Sequence, residues 1–135
     1  MGCSFLSRET TVVSARRRIP MAQYLALTYT ADVDWWAPEQ ADELAEYRRF
    51  AVEFADQVKA SAVLHPTATA IVVRVEGARG GPVVTTDGPY AETKEALTGY
   101  YLIEAENLEE AVRVAAEIPA AWGGAVEVRP VIVAK

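Results

Sequence analysis

Residues 23–30 and 98–105 carry apolar side chains at both parities of a two-residue alternation. Tyr24, Ala26 and Thr28 alternate with Leu25, Leu27 and Tyr29, and Tyr100 and Leu102 alternate with Tyr101 and Ile103. Both segments are rich in aromatic, aliphatic and β-branched residues and read as strands. Successive side chains of a strand point to opposite faces, so neither face of a sheet built from them is polar enough to sit in water. Helices of the chain can roof one face. The other needs a second cover, and a second copy packed face to face supplies it. The pattern therefore predicts a homodimer, with pockets near the junction of the two sheets.

The helices are legible from spacing. Pro38 suits a first helical turn, where its missing N–H costs nothing. Glu39, Asp42 and Glu43 follow on the favourable side of the helix dipole. Leu44, Tyr47, Ala51, Phe54 and Val58 then recur at steps of three and four, which predicts a helix over about 38–60. Asn107 with Glu110 three residues on resembles a capping box. It opens a second helix whose apolar stripe is Leu108, Ala111, Ala115 and Ile118 and which Pro119 ends.

Between the helices, residues 61–68 read as a linker. Residues 69–76 and 82–86 read as the strands of a hairpin turned by Gly77 to Gly81, with Pro82 placing the second strand near an edge. Asp87-Gly88-Pro89 breaks the chain sharply. Trp122-Gly123-Gly124 reads as a turn, and 125–133 as the last strand. The order gives two βαβ-like halves plus an extra hairpin strand. The expected fold is α+β, a ferredoxin-like antiparallel sheet with two helices on one face.

Charge narrows the function classes. The 135 residues carry a net charge of −6. Residues 1–20 hold four arginines against one glutamate, a local +3, so the rest of the chain carries −9. An acidic body repels phosphate backbones and disfavours nucleic acid as a partner. No apolar run approaches the roughly 20 residues of a membrane-spanning helix, so no membrane partner is expected. The single cysteine, Cys3, builds neither a disulfide framework nor a multi-cysteine zinc site, and a reducing cytoplasm fits. Leu6 stands where a myristoylation signal wants Ser or Thr. Met21 follows Pro20 and precedes the first strand pattern. The expected division is an N-terminal extension over 1–20 and one domain over 21–135, with Met21 a candidate natural start.

Candidate site residues each have a functional and a structural reading. Asp87, at a strand end beside Gly88 and Pro89, is a general base or ligand anchor, or else a turn carboxylate accepting downstream N–H groups. His65, the one histidine, is a proton carrier or an ordinary linker residue. Arg74 and Arg129, on valine-rich strands, clamp an anionic substrate or pair with Glu127, Glu92 or Glu104. Tyr90 and Tyr100, with Tyr24 and Tyr101, line a pocket for an aromatic or enol-like molecule, or pack the core and interface. One histidine makes no convincing metal site, and the glycines at 77–81 lack the strand-to-helix setting of a nucleotide loop. No metal or other cofactor is expected.

The run Val84-Thr85-Thr86-Asp87-Gly88-Pro89-Tyr90-Ala91-Glu92-Thr93-Lys94-Glu95, continued by Gly99-Tyr100-Tyr101-Leu102-Ile103, resembles the signature of the YCII-related, or DGPF-domain, family. Val72-Val73-Arg74 resembles the arginine-bearing strand before the family's hairpin, and Val126-Glu127-Val128-Arg129-Pro130-Val131 its closing strand. The resemblance covers residues 22–132. Tyr90 stands where the family usually has phenylalanine, and Thr98 replaces a common glycine. The resemblance implies a dimeric α+β barrel, a fold shared with small cofactor-independent monooxygenases, isomerases and dehydrochlorinases. It names no reaction, since most members have no established activity. The His-Asp pair of some relatives does not map onto this chain.

These readings converge on a cytoplasmic homodimer with a small-molecule pocket at the sheet edge. It would act as a cofactor-independent enzyme by acid–base chemistry, with Asp87 as base or anchor, His65 as proton carrier and Arg74 or Arg129 as anion clamp. The alternative is a non-catalytic binding or regulatory module acting through protein–protein contacts.

Overall fold

The computed structural model describes residues 21–133. The proposed extension over 1–20, with Cys3 and the arginine cluster, lies outside them. The strands are β1 (Ala22–Thr30), β2 (Val58–Val63), β3 (Ile71–Val75), β4 (Val83–Asp87), β5 (Ala96–Ala105) and β6 (Ala125–Pro130). The helices are α1 (Ala41–Glu53), α2 (Leu108–Ala115) and the short α3 (Ala120–Gly123). No helix among the described residues is long and apolar enough to cross a membrane.

Four strands form an antiparallel sheet in the order β2-β5-β1-β6. With helices following its first and third strands, this α+β arrangement is consistent with a ferredoxin-like fold. The β3–β4 hairpin forms a separate two-stranded sheet instead of extending the main one.

The two parities of β1 separate cleanly. Tyr24, Ala26, Thr28 and Thr30 are buried under the helices, while Leu25, Leu27 and Tyr29 are only partly covered. Cross-strand pairing extends each face. Tyr101 and Ile103 join the roofed side, and Tyr100 and Leu102 join the open side. On the roofed side Phe50 is fully buried and packs edge-on to Tyr101, with ring centroids 5.1 Å apart. Ala111, Val114 and Ala115 of α2, with Ile118 and Ala120, complete the core.

Three local readings are corrected. The helix expected over 38–60 is a 3-10 turn at Pro38–Gln40 and then α1, which stops at Glu53. Val58, expected on the helix stripe, begins β2, which takes the end of the expected helix and the first three residues of the expected linker. The apolar step of four from Phe54 to Val58 is shared by a helix and by a chain that leaves the helix and returns to the core. The pairing partners of β5 decide the matter here. Within α1 the inward residue is Phe50 and Ala51 is exposed. Both positions lie near the stripe, and the larger ring gains more from burial.

The Asn107 cap is present. Its Oδ1 accepts the Glu110 N–H at 2.9 Å, and Glu110 Oε1 accepts the Glu106 N–H at 2.7 Å. The buried stripe of α2 includes Val114, whereas Leu108 is half-exposed. The expected turn at 122–124 is largely α3, which ends at Gly123 and is capped by Gly124.

Candidate functional site

The loops that shape the concave surface are tied together. Asp32, just after β1, accepts the Thr67 N–H at 3.1 Å through one carboxylate oxygen and the Thr67 hydroxyl through the other. This clamp holds the 31–37 loop against the turn that follows β2. His65 and Pro66 lie on that turn, directly before Thr67. Asp34 Oδ1 accepts the Trp36 N–H at 3.0 Å and shapes the same loop.

Two hollows open from this region. The larger, about 630 Å³, is bounded by Tyr29 and Leu97 of the open sheet face, by His65 to Thr67 with Thr69 and Ala70, and by Pro89, Tyr90 and Ala91 at the hairpin base. The second lies on the roofed side. Its outer part, about 220 Å³, is lined by Asp34, Trp35, Leu44, Val63 and His65 among others. Its inner part, about 50 Å³, reaches Thr28, Tyr47, Thr98 and Tyr101. Trp35, Leu44 and Val63 border both parts, so they form one cleft.

The sequence-derived candidates divide among these places. His65 lines both hollows, and Tyr90 lines the larger one. Asp87 forms the last rung of the hairpin opposite Ile71, next to the bond from Gly88 N–H to Ala70 carbonyl. Gly88 has φ +94°, a left-handed conformation that suits glycine at this sharp exit. Arg74 pairs with Val84, an odd number of residues from Ile71, so it points to the opposite hairpin face from Asp87. Its guanidinium lies 5.3 Å from the centre of the Tyr90 ring, a cation–π contact. Arg129, an exposed side chain on β6, sits 3.9 Å from Glu127. Tyr100 lies half-buried on the open sheet face. The structure thus brings His65 and Tyr90 to one cleft and Arg74 onto Tyr90. It does not converge Asp87, Arg74 and Arg129 on one point.

Two groups escaped the sequence reading. One is Trp35, whose Nε1 is buried with no hydrogen-bond partner. Its position in a loop after β1 gave no sign that the indole folds back under α1, edge-on to Tyr47 at 5.6 Å. The other is a hydroxyl cluster. Thr28 and Thr98 Oγ1 lie 3.0 Å apart, and Thr30 Oγ1 is 3.3 Å from Thr98. A bulge between Thr28 and Tyr29 makes Thr98 the extra residue and turns it inward. Burial pushes the Tyr101 phenol up to about 12. Burial, then the Glu43 carboxylate and Tyr101, raise Tyr47 still further. Both remain protonated donors near neutral pH. Among the described residues no three of His, Cys, Asp and Glu cluster as metal ligands would.

The comparisons with known proteins bear on the whole domain. The family model of the YCII-related domain matches residues 22–135. An uncharacterized protein of Rhizobium meliloti (strain 1021) is 36% identical over 106 residues, covering 74% of this chain and 82% of its own. The roofed antiparallel sheet, the Asp87-Gly88-Pro89 exit and a family match over nearly all the described residues agree: the chain belongs to the YCII-related family.

Proposed function

We propose that the protein is a homodimer that binds a small molecule in the cleft between the open sheet face and the hairpin base, with His65 moving a proton there. The observation that carries this reading is the hairpin. Ile71, Val73, Val75 and Val83 share one of its faces by register, and they are 64%, 60%, 47% and 66% exposed. A two-stranded ribbon with a bare apolar face is marginal in water by itself. A second copy would cover that face, and the half-covered Leu25, Leu27, Tyr100 and Leu102 offer a complementary surface. Such packing would make the α+β barrel dimeric and would enclose the cleft lined by His65 and Tyr90 at its seam.

In this reading His65 is the acid–base group, since imidazole is the side chain suited to proton exchange near neutral pH. The Tyr90 ring, held by Arg74, forms a wall for the ligand. Asp87 acts from the cleft's rim as an anchor. One observation favours the rival, a non-catalytic module working through protein contacts: Asp87 and Arg74 face opposite ways. Sedimentation at micromolar concentration, followed by thermal shift against small phenols and keto acids, tests both parts. A dimer whose melting temperature rises with a compound, and rises less in His65→Gln and Asp87→Asn, is the expected result. A dimer that no compound stabilises supports the module, and a clean monomer overturns the seam.

A further inference from the structure

Asp87 carries a charge that its own chain does not use. It pairs across the hairpin with Ile71, and the side chains of such a pair share a face. Asp87 therefore stands at the base of the bare apolar face formed by Ile71, Val73, Val75 and Val83. Ala70 and Pro89, on either side of this rung, line the hollow at the hairpin base, and Asp87 does not. Nor does Asp87 cap its own turn. Gly88 N–H goes to the Ala70 carbonyl, and among the described residues the Asp87 carboxylate accepts no hydrogen bond and forms no ion pair.

A second copy laid on the apolar face would bury this carboxylate against itself. Burying a charge without a counter-charge is costly, so the covering surface has to supply a donor. Lys59 and Arg129, beside the open sheet face, already have carboxylates: Lys59 Nζ lies 3.7 Å from Glu104, and Arg129 Nε lies 3.9 Å from Glu127. His65 is in the opposite position. It lines the hollow that opens on the seam, and no Asp or Glu is among the residues lining that hollow. Two carboxylates of its own chain lie near its turn, and both are engaged. Asp32 is held by Thr67 through both oxygens, and Asp34 accepts the Trp36 N–H.

A twofold interface repeats each contact, so a carboxylate lent to the second copy is returned by it. We infer that the seam site is composite, with His65 donating one ring N–H to the partner's Asp87. That bond fixes the tautomer and leaves the other ring nitrogen to take a proton from the ligand. Asp87 is then a positioning residue acting across the seam, while Arg74 stays on Tyr90 of its own chain. The opposed directions of Asp87 and Arg74, awkward for a site within one chain, suit a site shared by two. The pairing rests on the proposed dimer and adds which residue the second copy contributes.

The chain has one histidine, so the ring nitrogens of a histidine-labelled sample report on His65 alone. Sedimentation comes first, and a clean monomer removes the dimer itself before any mixing. Labelled wild-type chain is then co-refolded with an excess of unlabelled Asp87→Asn, and nitrogen-15 shifts are recorded with the imidazole neutral. The tautomer preference of the wild-type dimer should be lost, with both shifts moving to those of free imidazole. The reverse mixture, labelled Asp87→Asn with an excess of unlabelled wild type, should keep it. The opposite pattern would mean that Asp87 serves the His65 of its own chain. No change in either mixture would mean that it serves neither. Both results overturn the inference and leave the dimer standing. If Asp87→Asn does not refold to a dimer, the wild type decides alone. In a mixture of labelled and unlabelled wild-type chains, isotope-filtered nuclear Overhauser contacts should run from the His65 ring to Ile71 of the partner subunit, the residue across from Asp87. Their absence in a dimer overturns the pairing.

Discussion

Asp32 holds Thr67 by two hydrogen bonds, one to its backbone N–H and one to its hydroxyl, across 35 residues of sequence. The loop after β1 lacks regular structure and the segment after β2 holds only a 3-10 turn at Thr67–Thr69, and this contact joins the two. His65 and Trp35 lie on the two segments so joined, and both line the outer part of the roofed cleft. Replacing Asp32 with alanine should cost about 1 kcal/mol, the lower end for bonds to a charged but exposed acceptor. Hydrogen exchange should accelerate at 31–37 and 64–69 while the α2 amides stay protected. Uniform acceleration across the domain would mean that the clamp has no local role.

Gly99 makes room for the backbone of β2. A Cβ there would meet the Ala62 carbonyl oxygen at 2.5 Å, and backbone cannot yield as a side-chain tip can. Gly99→Ala should destabilise the fold by roughly 1–3 kcal/mol, the usual range for overpacking. Denaturant titration measures it, and an unchanged midpoint would contradict the β2–β5 approach.

The open face makes a solution prediction. Wild-type protein should sediment near twice its 14.7 kDa chain mass. Leu27→Glu places a charge at the centre of the half-covered face, and Val73→Glu places one on the bare hairpin face. Each should shift the population to monomer with the circular dichroism spectrum retained. Persistence of the dimer in both variants would move the interface elsewhere.

Alkaline pH should weaken the fold through the buried phenols. Burial holds the folded-state pKa of Tyr101 at about 12, above the ordinary phenol value of about 10. Its raised value means that the folded state binds the proton more tightly. The stability contribution is therefore complete below the unfolded pKa and is lost as pH rises from about 10 towards about 12. Tyr47 adds in the same direction. Phenolate absorbance should show two of the six tyrosines ionising late, and Tyr101→Phe should reduce the fall in stability over that window. Early, independent titration of all six would refute their burial.

The strands β1 and β5, the Asn107 cap, the presence of the hairpin and the family signature were all readable along the chain. Each rests on local chemistry: alternation, a capping oxygen three residues from its N–H, a turn that needs glycine. The two apolar parities of β1 also announced a roofed face and an uncovered one. The tertiary structure decided what local chemistry leaves degenerate. Val58 fits a helix stripe as well as a strand, and only pairing with β5 places it in β2. Arg74 and Asp87 were both candidates for one site, but the observed register puts them on opposite faces of the hairpin. Trp35 is an unremarkable loop residue until α1 and β2 close around it and leave its N–H without an acceptor. Local sequence sets which conformations a segment favours. Which side chains face a common space depends on long-range pairing and burial, and those are properties of the whole fold.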